Sequence, residues 1–92
     1  MSDTISVELE IINERGLHAR AAARFVKTID GLNADVQVER LGQVVDGNSI
    51  MGLMMLAAAK GTKIKVSAAG TDAETAIANI TQLVNGRFGE DR

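Results

Sequence analysis

The segment Gly16-Leu17-His18-Ala19-Arg20 holds most of this chain's capacity for chemistry. His18 is the only histidine in 92 residues. It follows a glycine loop and stands just before a run with helical periodicity, where the first backbone N–H groups have no intrahelical acceptor. Those N–H groups and the positive end of the helix dipole form an anion site. Arg20, two residues on, adds a planar head with several donors suited to phosphate oxygens. The field at a helix start favours the neutral ring, and neutral imidazole is a nucleophile toward phosphorus. A phosphoryl group carried on the ring would use all of these features, with Gly16 giving the loop freedom to reorient it. Taken alone, the same residues are equally compatible with a surface-loop histidine beside a solvated arginine.

The elements that must position this segment can be read from periodicity. Ile5, Val7, Leu9 and Ile11 alternate with Ser6, Glu8 and Glu10, which predicts a half-buried strand. Asn13 to Gly16 reads as a loop. From Ala19 to Asp30, Ala22, Phe25, Val26 and Ile29 recur at helical spacing while Arg24 and Lys27 face water, and Gly31 stops the helix. Ala34, Val36 and Val38 then alternate with Asp35, Gln37 and Glu39, Leu41-Gly42 turns the chain, and Gln43 to Val45 returns as a short hairpin arm. Asn48 or Ser49 caps a short helix running to about Ala57, which Lys60-Gly61 breaks. Ile64, Val66 and Ala68 mark a fourth strand. Thr71 or Asp72 caps a last helix whose buried stripe is Ala73, Ile77, Ile80, Leu83 and Val84. The tail from Arg87 to Arg92 is polar apart from Phe88.

The order is β-α-β-β-α-β-α. Each strand has one apolar and one polar face, so the polar face meets water and the helices gather on the other side. This predicts an α+β fold, an open-faced sandwich. Lys63 and Lys65 on the fourth strand complement Glu8 and Glu10 on the first and Asp35 and Glu39 on the second, which places the fourth strand between them and gives the order 1-4-2-3.

Composition narrows the function classes. Residues 1–92 are expected to form one domain with a modest, aliphatic core, since Phe25 and Phe88 are the only aromatics. With no cysteine and one histidine, no thiolate or histidine-rich metal site is expected, and no cofactor. A net charge of −2 gives no footprint for nucleic acid. No apolar run reaches the roughly 20 residues of a membrane span. Met1-Ser2-Asp3-Thr4 lacks the regions of a signal peptide. The expectation is a cytoplasmic monomer.

Two further features stand out. Ser49 is suited to a helix N-cap, which alone accounts for it. Ile50, Met51, Met54 and Met55 compete with Leu53 and Leu56 for the core face of a helix too short to bury them all, so some must be exposed.

Gly16-Leu17-His18-Ala19-Arg20-Ala21-Ala22 resembles the active-site signature of the HPr phosphocarriers of the bacterial phosphotransferase system. Asn48-Ser49-Ile50-Met51-Gly52-Leu53-Met54, followed by Ala59-Lys60-Gly61, resembles a second signature at the family's spacing. The resemblance spans essentially the whole chain and implies the HPr fold, a four-stranded antiparallel open-faced sandwich with three helices on one side. It implies that His18 is phosphorylated on Nδ1 by phosphoenolpyruvate-charged enzyme I. The backbone of Ala19 and Arg20 and the Arg20 side chain would steady the group, which would pass to an enzyme IIA-type acceptor. It implies a carrier rather than an enzyme, with Ala19, Ile50, Met51 and Met54 in a docking patch that Arg24 and Lys27 would rim, although Lys27 reads equally well as a solvated charge. In part of the family the serine matching Ser49 is phosphorylated by an HPr kinase. Ala21 stands where the family usually has proline, which restores an N–H and loosens the helix start slightly. Asn13-Glu14-Arg15-Gly16 and the tail Asn85 to Asp91 are similar to the nitrogen-related regulatory branch.

Two rivals make different demands. A regulatory module that binds without transfer, controlled through Ser49, would bind its partners equally well without His18. A small effector-binding domain would need a pocket that this core has little volume to provide.

Overall fold

The computed structural model describes residues 4–92. Met1 to Asp3, read above as part of a start without a signal peptide, lie outside the described residues. The elements are β1 (Thr4–Glu10), α1 (Ala19–Ile29), β2 (Asp35–Arg40), β3 (Gln43–Asp46), α2 (Ile50–Met55), β4 (Lys63–Ala69), α3 (Ala73–Asn85) and a final 3-10 turn (Arg87–Gly89). The four strands form one antiparallel sheet in the order β1-β4-β2-β3.

The register carries the charge complementarity expected of it. Glu8 faces Lys65 across β1 and β4, Glu10 faces Lys63, and Glu39 of β2 faces Lys65 from the other side. Lys63 Nζ reaches Glu8 Oε1 on the diagonal at 3.9 Å. Both side chains are well exposed, so the pattern sets register more than it adds stability.

Alternate residues of the strands point into the core. Leu9, Val36, Val38, Ile64, Val66 and Ala68 are buried against the helices. The α3 helix packs on β1 and β4, and α1 packs on both α2 and α3. Turn chemistry follows the sequence closely. Leu41 and Gly42 both take positive φ, 51° and 83°, which is the two-residue hairpin turn that matches strand twist.

Several expectations need correcting. The α2 helix ends at Met55, short of Ala57, because Ala57 takes a left-handed φ of 52°. The α3 stripe is Ala73, Ala76, Ile80 and Val84, while Ile77 and Leu83 are only partly buried. Alanine at Ala76 lets the helix lie close to the sheet, and a small residue is easily passed over in a hydrophobic pattern. Asp72 is the N-cap of α3, but its carboxylate does not cap the helix. Its Oδ2 accepts from the Asn33 backbone N–H at 2.7 Å and so ties α3 to the loop before β2. On α1, Ala21 is buried and Val26 is not fully so.

The largest departure is the tail. Phe88 is completely buried in the same core as Phe25, so the core holds both aromatics and the tail packs onto it.

Candidate functional site

Three segments meet around His18. The first is the loop after β1. Its Asn13 is fully buried, and its side-chain Nδ2 donates to the Gly16 carbonyl at 2.8 Å. Gly16 has φ 69°, and a Cβ there would lie 2.6 Å from the Ala58 carbonyl oxygen. Only glycine fits both demands. This close approach lets Leu17 N–H donate to Ala58 O at 2.9 Å, which fastens the loop to the segment after α2.

The second segment is the start of α1. His18 is the N-cap, with extended backbone (φ −82°, ψ −177°) and no capping bond from its side chain. The first helical bond runs from Ala22 N–H to His18 O at 2.8 Å. The N–H groups of Ala19, Arg20 and Ala21 therefore precede any intrahelical acceptor and face outward from the helix end. Ala19 and Arg20 are exposed, and the His18 ring is 22% exposed. His18 thus stands at the helix end where these amides open.

The third segment is the tail, Arg87 to Arg92, which is polar apart from Phe88. Glu90 Oε1 accepts from Asn13 Nδ2 at 2.9 Å, and its Oε2 is hydrogen-bonded to His18 Nε2. Burial pushes the Glu90 carboxyl up, but hydrogen bonds from Asn13 and His18, with the charges of His18 and Arg15, outweigh it and hold the group below the usual carboxylate value. At neutral pH Glu90 is therefore an anion that can only accept. It follows that His18 donates from Nε2, and in the neutral ring this leaves the lone pair on Nδ1. The Arg24 guanidinium donates to the Phe88 carbonyl, so this residue, expected at a docking rim, has its head turned to the tail. Glu14 N–H donates to Arg92 O at 3.1 Å. Arg15, Arg20, Arg24, Arg92 and Glu90 line a cleft of about 440 Å³ between loop, helix and tail.

Glu90 and Asn13 are the site residues missed in the sequence. The available signal was a lone apolar residue, Phe88, in a polar tail with a carboxylate two positions on.

The residues around α2 are placed as follows. Ser49 is the N-cap of α2, and its Oγ accepts from Gly52 N–H at 2.9 Å. Leu53 fills the core, whereas Met51 and Met55 are 72% and 66% exposed and Ile50 and Met54 both 40%. This apolar patch lies on the helix that packs against α1. Lys27 is exposed in the last turn of α1, about 13 Å along the axis from His18, so it stands at the edge of any surface centred on the ring. Among the described residues no cluster of His, Cys, Asp and Glu could hold a metal ion, and no helix is long and apolar enough to cross a membrane.

A family model described as the PTS HPr component phosphorylation site matches residues 5–86. The chain belongs to the HPr family. Its relatives include a phosphocarrier protein HPr of Neisseria meningitidis, 50% identical over 82 residues, covering 89% of this chain and 92% of that one. The phosphocarrier protein NPr of Escherichia coli is 37% identical over 89 residues, covering 96% and 99%. The crystal structure of an HPr from Thermoanaerobacter tengcongensis superposes with a TM-score of 0.90 at 41% identity, covering 96% of this chain and 99% of that one. An HPr-family phosphocarrier of the phosphotransferase system thus has His18 at the mouth of its open helix end.

Proposed function

We propose that this phosphocarrier accepts a phosphoryl group on His18 Nδ1 from phosphorylated enzyme I and passes it to an enzyme IIA-type protein. The observation that carries this reading is the partly exposed His18 ring at the N-cap of α1, with Nε2 engaged by Glu90. In the transfer, the Nδ1 lone pair attacks the donor's phosphorus, the donor's own P–N bond breaks, and an Nδ1–P bond forms. The open amides of Ala19 and Arg20 and the Arg20 guanidinium stabilise the phosphoryl oxygens. The bond is a labile phosphoramidate, which suits a group that must be given up again.

Ala19, Ile50, Met51 and Met54, with Arg24 and Lys27 at the edge, make the surface on which donor and acceptor dock in turn. Flexible methionines suit a surface that meets more than one partner. Chain 1–92 acts as one unit, as a cytoplasmic monomer in carbon or nitrogen regulation or in sugar uptake. Phosphorylation of Ser49 by an HPr kinase would place about −1.5 to −2 charge at the start of α2, beside the apolar patch, and weaken docking.

Incubation with phosphoenolpyruvate and a bacterial enzyme I, followed by intact mass, tests the reading. The expected result is one added phosphoryl, lost on brief acid treatment and never gained by His18→Ala. Binding of partners without any phosphoryl gain by the wild-type chain would favour a purely regulatory module.

A further inference from the structure

We infer that Glu90, carried by the C-terminal tail, is a positioning residue for phosphoryl transfer: it holds the Nε2 proton of His18, keeps Nδ1 as the nucleophile and stabilises the cationic ring that phosphorylation creates. The inference deepens the phosphocarrier reading and rests on it.

The geometry is specific in several independent ways. Glu90 uses both oxygens, one on His18 Nε2 and one on the buried Asn13 amide. Asn13 in turn holds the Gly16 carbonyl, so the carboxylate, the loop and the ring form one connected set. The tail reaches this point through an unusual backbone path. Arg87 and Phe88 are consecutive non-glycine residues with positive φ, 57° and 54°. Each such residue costs about 1–2 kcal/mol and persists only where its surroundings hold it. Here the burial of the Phe88 ring and the bond from Arg24 to its carbonyl hold it. Strained backbone spent to aim one carboxylate at one ring nitrogen marks the pair as more than a surface ion pair.

The chemistry follows from the proton count. A neutral imidazole has one N–H. With that proton on Nε2 and bonded to Glu90, the lone pair is on Nδ1, the ring nitrogen closer to the main chain along the side chain. When Nδ1 takes the phosphoryl, Nε2 keeps its proton and the ring carries positive charge. The Glu90 carboxylate faces that charge and accepts the same hydrogen bond. On donation the Nδ1–P electron pair returns to the ring, and the original tautomer is restored without any proton entering or leaving. A carboxylate that orients an imidazole and stabilises its cation, without itself taking the proton, plays the same part beside catalytic histidines generally.

The test uses the full-length chain and the variants Glu90→Gln and Glu90→Ala. The Gln oxygen can still accept from Nε2–H, so it separates hydrogen bond from charge. In nitrogen-15-labelled wild-type protein without phosphate, the His18 Nε2 proton should give a resonance protected from exchange with water. It should persist in Glu90→Gln and vanish in Glu90→Ala. The initial rate of phosphoryl acceptance from phosphorylated enzyme I should fall roughly tenfold in Glu90→Ala and by less in Glu90→Gln. Retained burial of Phe88, read from its ring shifts, separates a lost contact from a lost tail. A wild-type rate with an unchanged ring signal in Glu90→Ala overturns the inference and leaves the carrier reading intact. Failure of wild-type protein to be phosphorylated at all would instead strike at the carrier reading, while the ring signal would still report whether Glu90 holds the tautomer.

Discussion

The two nitrogens of His18 face different surroundings. Nε2 meets a carboxylate, and Nδ1 has no such partner on a ring carried by the N-cap residue of α1. What fixes that difference is the backbone just before the ring. Gly16 combines a left-handed φ with contact against the Ala58 carbonyl. Replacing it with alanine should cost on the order of 2 kcal/mol, since both backbone strain and a close contact must be relieved. The loop would then release Ala58 and displace the ring, so the Gly16→Ala chain should accept phosphoryl more slowly even at temperatures where it stays folded. Urea unfolding and initial transfer rates together check this. Ser49→Ala is a contrasting case. It removes one capping acceptor and should destabilise by about 1 kcal/mol in urea, while phosphoryl acceptance at His18 stays close to wild type.

The elements were largely legible before the structure, and the reasons are physical. Strict alternation in β1, β2 and β4 reflects a sheet wet on one face, and the lysines of β4 between two acidic strands give its place in the order. The helix start at Ala19 was legible because a glycine loop and apolar periodicity meet there. The tail was not. Its buried face is a single residue, and one Phe gives no period to read. Its attachment depends on long-range bonds from Asn13, His18 and Arg24, which no local pattern encodes. Phe88→Ala should therefore cost about 3–5 kcal/mol and also free Glu90 from the ring, seen as loss of the His18 Nε2 proton signal. Acid should do the same more gently. Glu90 titrates below its unfolded value, so its contribution to tail docking is present above the ordinary carboxylate range and is lost as pH falls through the lowered value. The groups facing it are Asn13, His18 and Arg15. The protection factor of the Glu90 amide, its exchange rate relative to the intrinsic rate at the same pH, should fall as pH drops below 4.5. The hairpin turn offers an opposite prediction. Leu41 is 88% exposed at φ 51°, so Leu41→Asn should stabilise by about 1 kcal/mol.

At the scale of the whole molecule, the fold leaves one sheet face charged and wet and gathers the exposed apolar side chains of α2 beside the helix that presents His18. Met51 is exposed enough that its replacement should not disturb the core. Met51→Asp should leave urea stability within about 0.5 kcal/mol yet raise the KM for phosphorylation by enzyme I about tenfold. A variant that changed stability and KM together would point to a packing role instead. The most direct measurement of the central claim places the phosphoryl group on an atom. Protein labelled with nitrogen-15 in its one histidine, phosphorylated through phosphoenolpyruvate and enzyme I, should show one-bond coupling between phosphorus and Nδ1, with Nε2 still bearing a proton. Coupling to Nε2, or phosphorus found on Ser49 with the ring unmodified, would contradict it.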